Sequence, residues 1–193
     1  MSEIFPEQEY ISRFLSGDSD AFNFLVKRWQ APVYELAYRY IRNEQDAKDI
    51  CQNTFIKAYK NLKKLRNNES FSVWIHRIAV NLCKDELKKR RHTSFTQISS
   101  NNEYVLKDAV NINPEFEENI IKEDIRETII RVVSSLPNEQ KEVLILKEYQ
   151  GLKFREIAEI LKISENTIKS RMYYALKNIK TILKKLNLDK EVS

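Results

Sequence analysis

Two glycines, Gly17 and Gly151, serve the whole of a 193-residue chain. Hairpins and tight turns draw on glycine for backbone at positive φ, so a sheet-rich fold of this length would run short of turns. A β sandwich, a β barrel and a glycine-loop nucleotide fold are all disfavoured, and neither phosphate-cradling glycine motif can be written with two glycines so far apart. Helices joined by polar connections remain. Hydrophobic residues make up 42% and charged residues 32%, enough apolar surface to bury a core and too much for a wholly disordered chain. The length suits one compact domain or two small ones. No apolar run approaches the roughly 18 residues of a membrane-spanning helix, so no membrane insertion is expected. Met1 to Tyr10 carries Glu3, Glu7 and Glu9 and no basic residue, so no secretory signal is expected. Cys51 and Cys83 stand singly inside helical patterns and read as reduced, intracellular thiols.

Charge divides the chain into three. Residues 1–100 hold 17 basic and 12 acidic side chains, residues 101–127 hold 3 and 8, and residues 128–193 hold 13 and 8. Two basic blocks thus flank an acidic one, a layout that suits a polyanionic partner or a lysine-rich solvated surface. From Arg91 to Asn113 the sequence turns Ser-, Thr- and Asn-rich, which marks a linker too long for a connection inside one compact domain. The expected organisation is an N-terminal domain over 5–92, a polar and acidic linker over 93–113, and a C-terminal domain over 114–187.

Outside the linker the apolar residues recur at helical spacing. Phe22, Leu25, Val26, Trp29, Val33, Leu36, Ala37 and Tyr40 form one stripe, capped by Asp18 or Asp20, with Pro32 set to kink or split the helix. Asn43 is placed to cap a helix facing inward through Ala47, Ile50, Cys51, Phe55, Ala58 and Leu62, and Ser70 to cap one with Trp74, Ile75, Ile78, Ala79, Leu82 and Leu87. Asn113-Pro114 is set to open another that carries Ile129, Val132, Val133 and Leu136 and ends at Pro137. A short helix from about Glu139 to Tyr149 then meets Gly151, a left-handed cap. These stripes are core first, so function has to come from the polar residues between them.

The run from Phe154 to Tyr173 has the logic of a helix-turn-helix. Ile157, Ala158 and Leu161 face inward from a short helix, Lys162-Ile163-Ser164 makes the turn with Ile163 buried, and Ser164 caps the next helix. Ile168, Met172 and Ala175 of that helix pack inward and turn Thr167, Lys169, Ser170, Arg171, Tyr173 and Tyr174 outward. In this arrangement the second helix enters a major groove. From Lys169 to Leu188 there are six basic residues, Lys177 among them, and no acid, a one-signed helix that repels itself unless an anion lies alongside.

The segments Asp46–Leu62 and Phe71–Arg91, with Leu136-Pro-Asn-Glu-Gln140 and the helix-turn-helix, together resemble an extracytoplasmic-function (ECF) sigma factor of the bacterial sigma-seventy family. The resemblance spans about residues 8–92 and 114–183. It implies an all-α protein of two small helical domains joined by a flexible linker, the C-terminal one a helix-turn-helix. It implies a non-catalytic subunit that binds core RNA polymerase and promoter DNA, is restrained by an anti-sigma factor, works in the cytoplasm (on the nucleoid when in holoenzyme), and takes no cofactor, metal or small-molecule substrate. Carried onto this chain, Asp46, Asp49, Gln52 and Asn53 match the polymerase-binding helix, although Asp46 and Asp49 also suit the helix dipole there. The base-capturing loop matches Arg66 to Ser70, Asn67 within it, and Asn81 matches a position near the extruded base. Trp74 is open to either stacking or core. Lys84, Lys88, Arg90 and Arg91 are phosphate contacts of the downstream (−10) element. Thr167, Lys169, Ser170, Arg171, Tyr173, Tyr174 and Lys177 face the upstream (−35) element. Lys48 and Asn53 stand where the family often has acids, and Tyr174 where it commonly has Arg, which predicts an altered base preference.

Two other classes compete. A stand-alone helix-turn-helix regulator accounts for the last block and leaves Asp49–Leu62 and Ser70–Arg91 as scaffold. An enzyme has only His76 and Cys83, seven apart on one helix, and no nucleophile–base constellation around them.

Overall fold

A computed structural model describes residues 6–65, 70–98 and 128–185, and among these every regular element is helical. The N-terminal module comprises α1 (Glu7–Leu15), α2 (Ala21–Ile41), α3 (Glu44–Asn61), a 3-10 turn (Leu62–Lys64) and α4 (Phe71–Ile98). The C-terminal module comprises α5 (128–134), α6 (Asn138–Leu144), a π-helical turn (Ile145–Tyr149), α7 (Phe154–Leu161) and α8 (Glu165–Lys185).

Local chemistry sets most of the boundaries. Asp18, not Asp20, caps α2: its Oδ1 accepts from the Asp20 and Ala21 amides at 3.1 and 3.3 Å, while Arg13 donates to its other oxygen at 2.7 Å. The helix runs through Pro32 without a break. It ends where Arg42 turns left-handed at φ 55°, and Asn43 Oδ1 then accepts the Asp46 amide at 2.9 Å to start α3. Gly151 takes φ 66° after the π turn, the left-handed position only glycine adopts freely. The expected cap at Asn113-Pro114, and the helix it would open as far as residue 127, lie outside the described residues.

In the N-terminal module Leu25, Leu36, Leu62, Phe71 and Ile75 are each at most 1% exposed, and burying such a side chain is worth roughly 1.5–3 kcal/mol. An aromatic cluster ties α1 down: Tyr10 stacks on Phe24 at 4.8 Å, and Phe14 meets Phe22 at 5.4 Å and Tyr59 at 5.0 Å. The C-terminal core gathers Val133, Val143, Leu146, Ile157, Ile160, Ile168 and Ala175.

α4 continues to Ile98, into the stretch expected as linker, which contains no Gly or Pro to end it. On α7, Ile157 and Ile160 are buried and Leu161 is half-buried against the same core. One expectation needs correction: Ile163 is half-buried in the turn, because the turn leaves one side of it open.

The two modules pack on each other, α4 against α7 and α2 against the π turn. At this seam Glu142 of α6 accepts from Tyr40 Oη at 3.2 Å and pairs with Lys84 Nζ at 2.8 Å. The Arg39 guanidinium lies 3.4 Å over the Tyr149 ring. His76 sits edge-on to Trp29, with Nδ1 2.7 Å from the Ser72 carbonyl and Nε2 3.0 Å from the Gln150 side-chain amide. Gln150 Nε2 is buried without a partner in this amide orientation; turning the amide lets it donate to His76 Nε2, which suits a ring whose Nδ1–H donates to Ser72. His76 and Cys83 therefore do share a face of α4, and it is the face that meets the C-terminal module.

Candidate nucleic-acid interface

The polar residues singled out in the sequence fall into three surfaces. On α3, Asp49, Gln52 and Asn53 are exposed along one edge. Asp46 is not free beside them: it is half-buried and ion-paired with Arg90, which also donates to the Ile41 carbonyl at 3.0 Å. Asp46 and Arg90 thus tie α4 to the end of α2 and the start of α3. Sequence reasoning missed the apolar continuation of the α3 edge, where Ile56 and Tyr59 are exposed. They follow Gln52 at helical spacing, which was the available signal. With Phe22, Val26 and Cys51 they line a groove of about 580 Å³ between α2 and α3.

On α4, Trp74 is 8% exposed and packs on Phe71 at 5.8 Å, so of its two readings the core one holds. Ser70 and Asn81 are exposed at the start and middle of the helix. Lys84 is half-exposed and engaged by Glu142, whereas Lys88 and Arg91 are exposed. Asn67 lies outside the described residues.

On α8 the cap is as expected: Ser164 Oγ accepts the Thr167 amide at 3.1 Å and shares a 2.8 Å hydrogen bond with the Thr167 hydroxyl. Lys162 takes φ 57° to make the turn. Beyond it Lys169, Ser170, Tyr173, Tyr174 and Lys177 are exposed, and Lys169 pairs with Glu165 at 2.7 Å. Tyr173 and Tyr174, 64% and 53% exposed, meet edge-on at 5.5 Å, and Leu176 stands out beside them. Arg171 is half-buried and held by Glu139 at 2.8 Å. One face of α8 therefore offers aromatic edges, a methyl-bearing surface and cations together, the groups that read thymine methyls and hold phosphates.

Comparison with known proteins agrees with this geometry. The family model described as sigma-70 region 2 matches residues 25–93, and that described as sigma-70, region 4 matches residues 126–179. The ECF RNA polymerase sigma-E factor of Salmonella typhimurium is 33% identical over 178 residues, covering 91% of this chain and 93% of that protein. The chain belongs to the ECF RNA polymerase sigma factors. The RNA polymerase sigma-H factor of Pseudomonas aeruginosa is 29% identical over 187 residues, 93% of this chain and 95% of the relative. Two solved structures share the fold at 19% identity. CnrH, solved with the cytosolic domain of CnrY, has a TM-score of 0.67 and covers 92% of this chain and 97% of its own. The sigma factor RpoE of Bartonella quintana, solved with the anti-sigma factor NepR, has a TM-score of 0.65 and covers 84% and 96%. As an ECF sigma factor the protein directs core RNA polymerase to particular promoters and takes part in opening the DNA for initiation. No helix among the described residues is long and apolar enough to cross a membrane.

Proposed function

We propose that the division of labour follows the two modules, with limits at 5–92 and 114–187 and a polar, acidic connector over 93–113. The α3 edge (Asp49, Gln52, Asn53) with exposed Ile56 and Tyr59 holds the polymerase. An apolar centre rimmed by polar groups is what a protein interface needs, and no duplex contact calls for Ile56. Asp46 acts on this surface only by fixing α3 to α4. Asn67, Ser70 and Asn81 receive bases of the downstream element as it opens, since splayed bases need edge partners that a duplex does not. Lys84, Lys88 and Arg91 hold phosphates, and Arg90 contributes by orienting the end of α4.

On α8, Thr167, Ser170, Arg171, Tyr173 and Tyr174 face bases of the upstream element, and Lys169 and Lys177 its phosphates. Tyrosine cannot grip guanine in the bidentate way arginine does, so Tyr174 favours an A·T-rich contact. The protein is not an enzyme: polymerase supplies the chemistry, and this chain supplies position. Its working place is the cytoplasm, where the polymerase and promoter are. An anti-sigma factor is a fitting partner, as one of the two solved relatives was captured with one.

The observation that carries this reading is the exposed row Lys169, Tyr173, Tyr174 and Lys177 on a helix whose other face buries Ile168, Met172 and Ala175. Selection of promoter fragments from a random duplex pool, with and without core polymerase, tests it. Sequence-selective retention with core and weak retention without it is the expected result. Tight, sequence-selective retention by the isolated chain would instead favour a stand-alone regulator.

A further inference from the structure

The cleft between the modules holds more positive charge than the protein itself neutralises. About 560 Å³ in volume, it is lined by Lys84, Lys88 and Arg91 of α4 and by Lys141 and Arg171 of the C-terminal module, against the carboxylates of Glu139 and Glu142. Both carboxylates are already engaged, Glu139 with Arg171 and Glu142 with Lys84 and the Tyr40 hydroxyl. Among the described residues, Lys88, Arg91 and Lys141 have no carboxylate within ion-pair distance. Lys88 and Arg91 are exposed, whereas Lys141 is half-buried. Lys141 also has an uncompensated cation for a neighbour. Arg42, whose backbone is left-handed at φ 55° between α2 and α3, is half-buried, and its Nε is enclosed without a hydrogen-bond partner. Burial lowers the pKa of both side chains, and the Arg42 charge lowers Lys141 further. Two half-buried cations that repel each other cost stability, and neither has a part in the promoter or polymerase contacts.

We infer that this cleft is a binding site for a small molecule carrying a polyphosphate chain, held between Lys141 on one module and Lys88 and Arg91 on the other. Three cations without counter-charge call for a ligand with several negative charges close together. A chain of phosphates supplies them and accepts charge-assisted hydrogen bonds from Lys and Arg. The volume falls within the roughly 300–1,000 Å³ of small-molecule sites. Leu87, Ile145 and Ile163 line the same cleft and give a nucleobase an apolar surface to lie on. A nucleoside triphosphate therefore fills the site more completely than an inorganic polyphosphate does. A DNA duplex reaches the exposed Lys88 and Arg91 but not the half-buried Lys141, so promoter binding leaves the charge there uncompensated.

Calorimetric titration of the full chain with ATP, and separately with inorganic tripolyphosphate, tests this without divalent cation present. Lys141→Gln removes the charge at the half-buried side of the cleft and Lys141→Arg keeps it. Lys88→Gln removes a charge from the opposite wall. Lys63→Gln removes an exposed charge from the 3-10 turn, which is no part of the cleft. Thermal unfolding followed by circular dichroism, without ligand, checks that each variant is folded. The expected result is one ATP per chain, bound more tightly than tripolyphosphate. Lys141→Gln and Lys88→Gln should each weaken it about ten-fold, the effect of one hydrogen bond to a charged group. Lys141→Arg and Lys63→Gln should stay near wild type. Lys141→Gln should melt no lower than wild type, because it relieves the repulsion with Arg42, which separates lost binding from lost fold. Should it melt early, Lys88→Gln carries the test. Tripolyphosphate bound as tightly as ATP supports the site and assigns it to the phosphate chain alone. No saturable binding of either, or a loss with Lys63→Gln equal to that with Lys141→Gln and Lys88→Gln, overturns it. Neither of those results touches the promoter reading, which is carried by α8.

Discussion

The two modules use their polar residues in opposite ways. In the N-terminal module the residues that looked most functional are tied to other elements: Asp46 to Arg90, Arg90 to the Ile41 carbonyl, Lys84 to Glu142, and Trp74 to the core. In the C-terminal module Tyr173, Tyr174 and Lys177 stand clear on α8 with solvent in front of them, and only Lys169 and Arg171 of that helix's described cations are engaged, by Glu165 and Glu139. Side chains tied between helices make the N-terminal module a rigid frame. A recognition helix reads an intact duplex and needs only a buried back and a free front. The contrast turns into experiments because substitutions in the first module should register as stability, and those on α8 as affinity.

The largest expected effect is Trp74→Ala. Removing a buried aromatic beside Phe71 should cost about 3–5 kcal/mol in urea unfolding, whereas Tyr173→Ala and Tyr174→Ala should stay within about 0.5 kcal/mol. A stable Trp74→Ala with a selective loss of promoter melting would return Trp74 to a stacking role. Next is Arg171→Ala, read as holoenzyme affinity for an upstream-element duplex. A loss of about 1–3 kcal/mol, confined to changes in that element, is expected. An equal loss on every sequence would demote Arg171 to a phosphate contact.

The two caps offer a matched pair. Asn43→Ala and Ser164→Ala should each destabilise their module by about 1 kcal/mol, but only Ser164→Ala should also weaken upstream-element binding, because Thr167 is held through the same hydroxyl. The smallest effect concerns the thiols. Burial raises Cys51 and pushes Cys83 up to about 12. A thiol whose folded pKa lies above its unfolded value of about 8.5 stabilises the fold below that pH. The contribution is lost as pH rises from there toward 12, because the unfolded chain gives up its proton first. Cys83→Ala should flatten the fall in stability over that window more than Cys51→Ala does, and alkylating reagents should reach Cys51 well before Cys83.

What could be read from the sequence was what is local. Asn43, Ser164, Gly151 and the turn at Lys162 announce themselves within four residues, since caps and left-handed turns are made by neighbours. The helix-turn-helix and its outward row were legible because an i, i+4 stripe fixes both faces of a helix at once. The misjudged residues depend on partners far along the chain. Arg90 meets Asp46 across 44 positions and Tyr40 meets Glu142 across 102, and no periodicity carries that information. Nothing local in the sequence marks Glu142, and His76 with Cys83 stand there only as a pair seven apart on one helix. Only the seam explains why a histidine, a thiol and a carboxylate are all buried there. The deeper burial of Ile160 beside Leu161 has the same origin, because a helix of eight residues leaves its register to the partner it packs against.

The central claim is that both modules act on one start site through a polymerase that supplies the chemistry. Mapping the 5′ ends of transcripts made in vitro by core polymerase with and without this protein tests it most directly. The account predicts a discrete set of new starts that share an upstream and a downstream element at fixed spacing, and that weaken when Tyr174 is replaced by Ala. Initiation no more frequent or selective than that of core polymerase alone would contradict it.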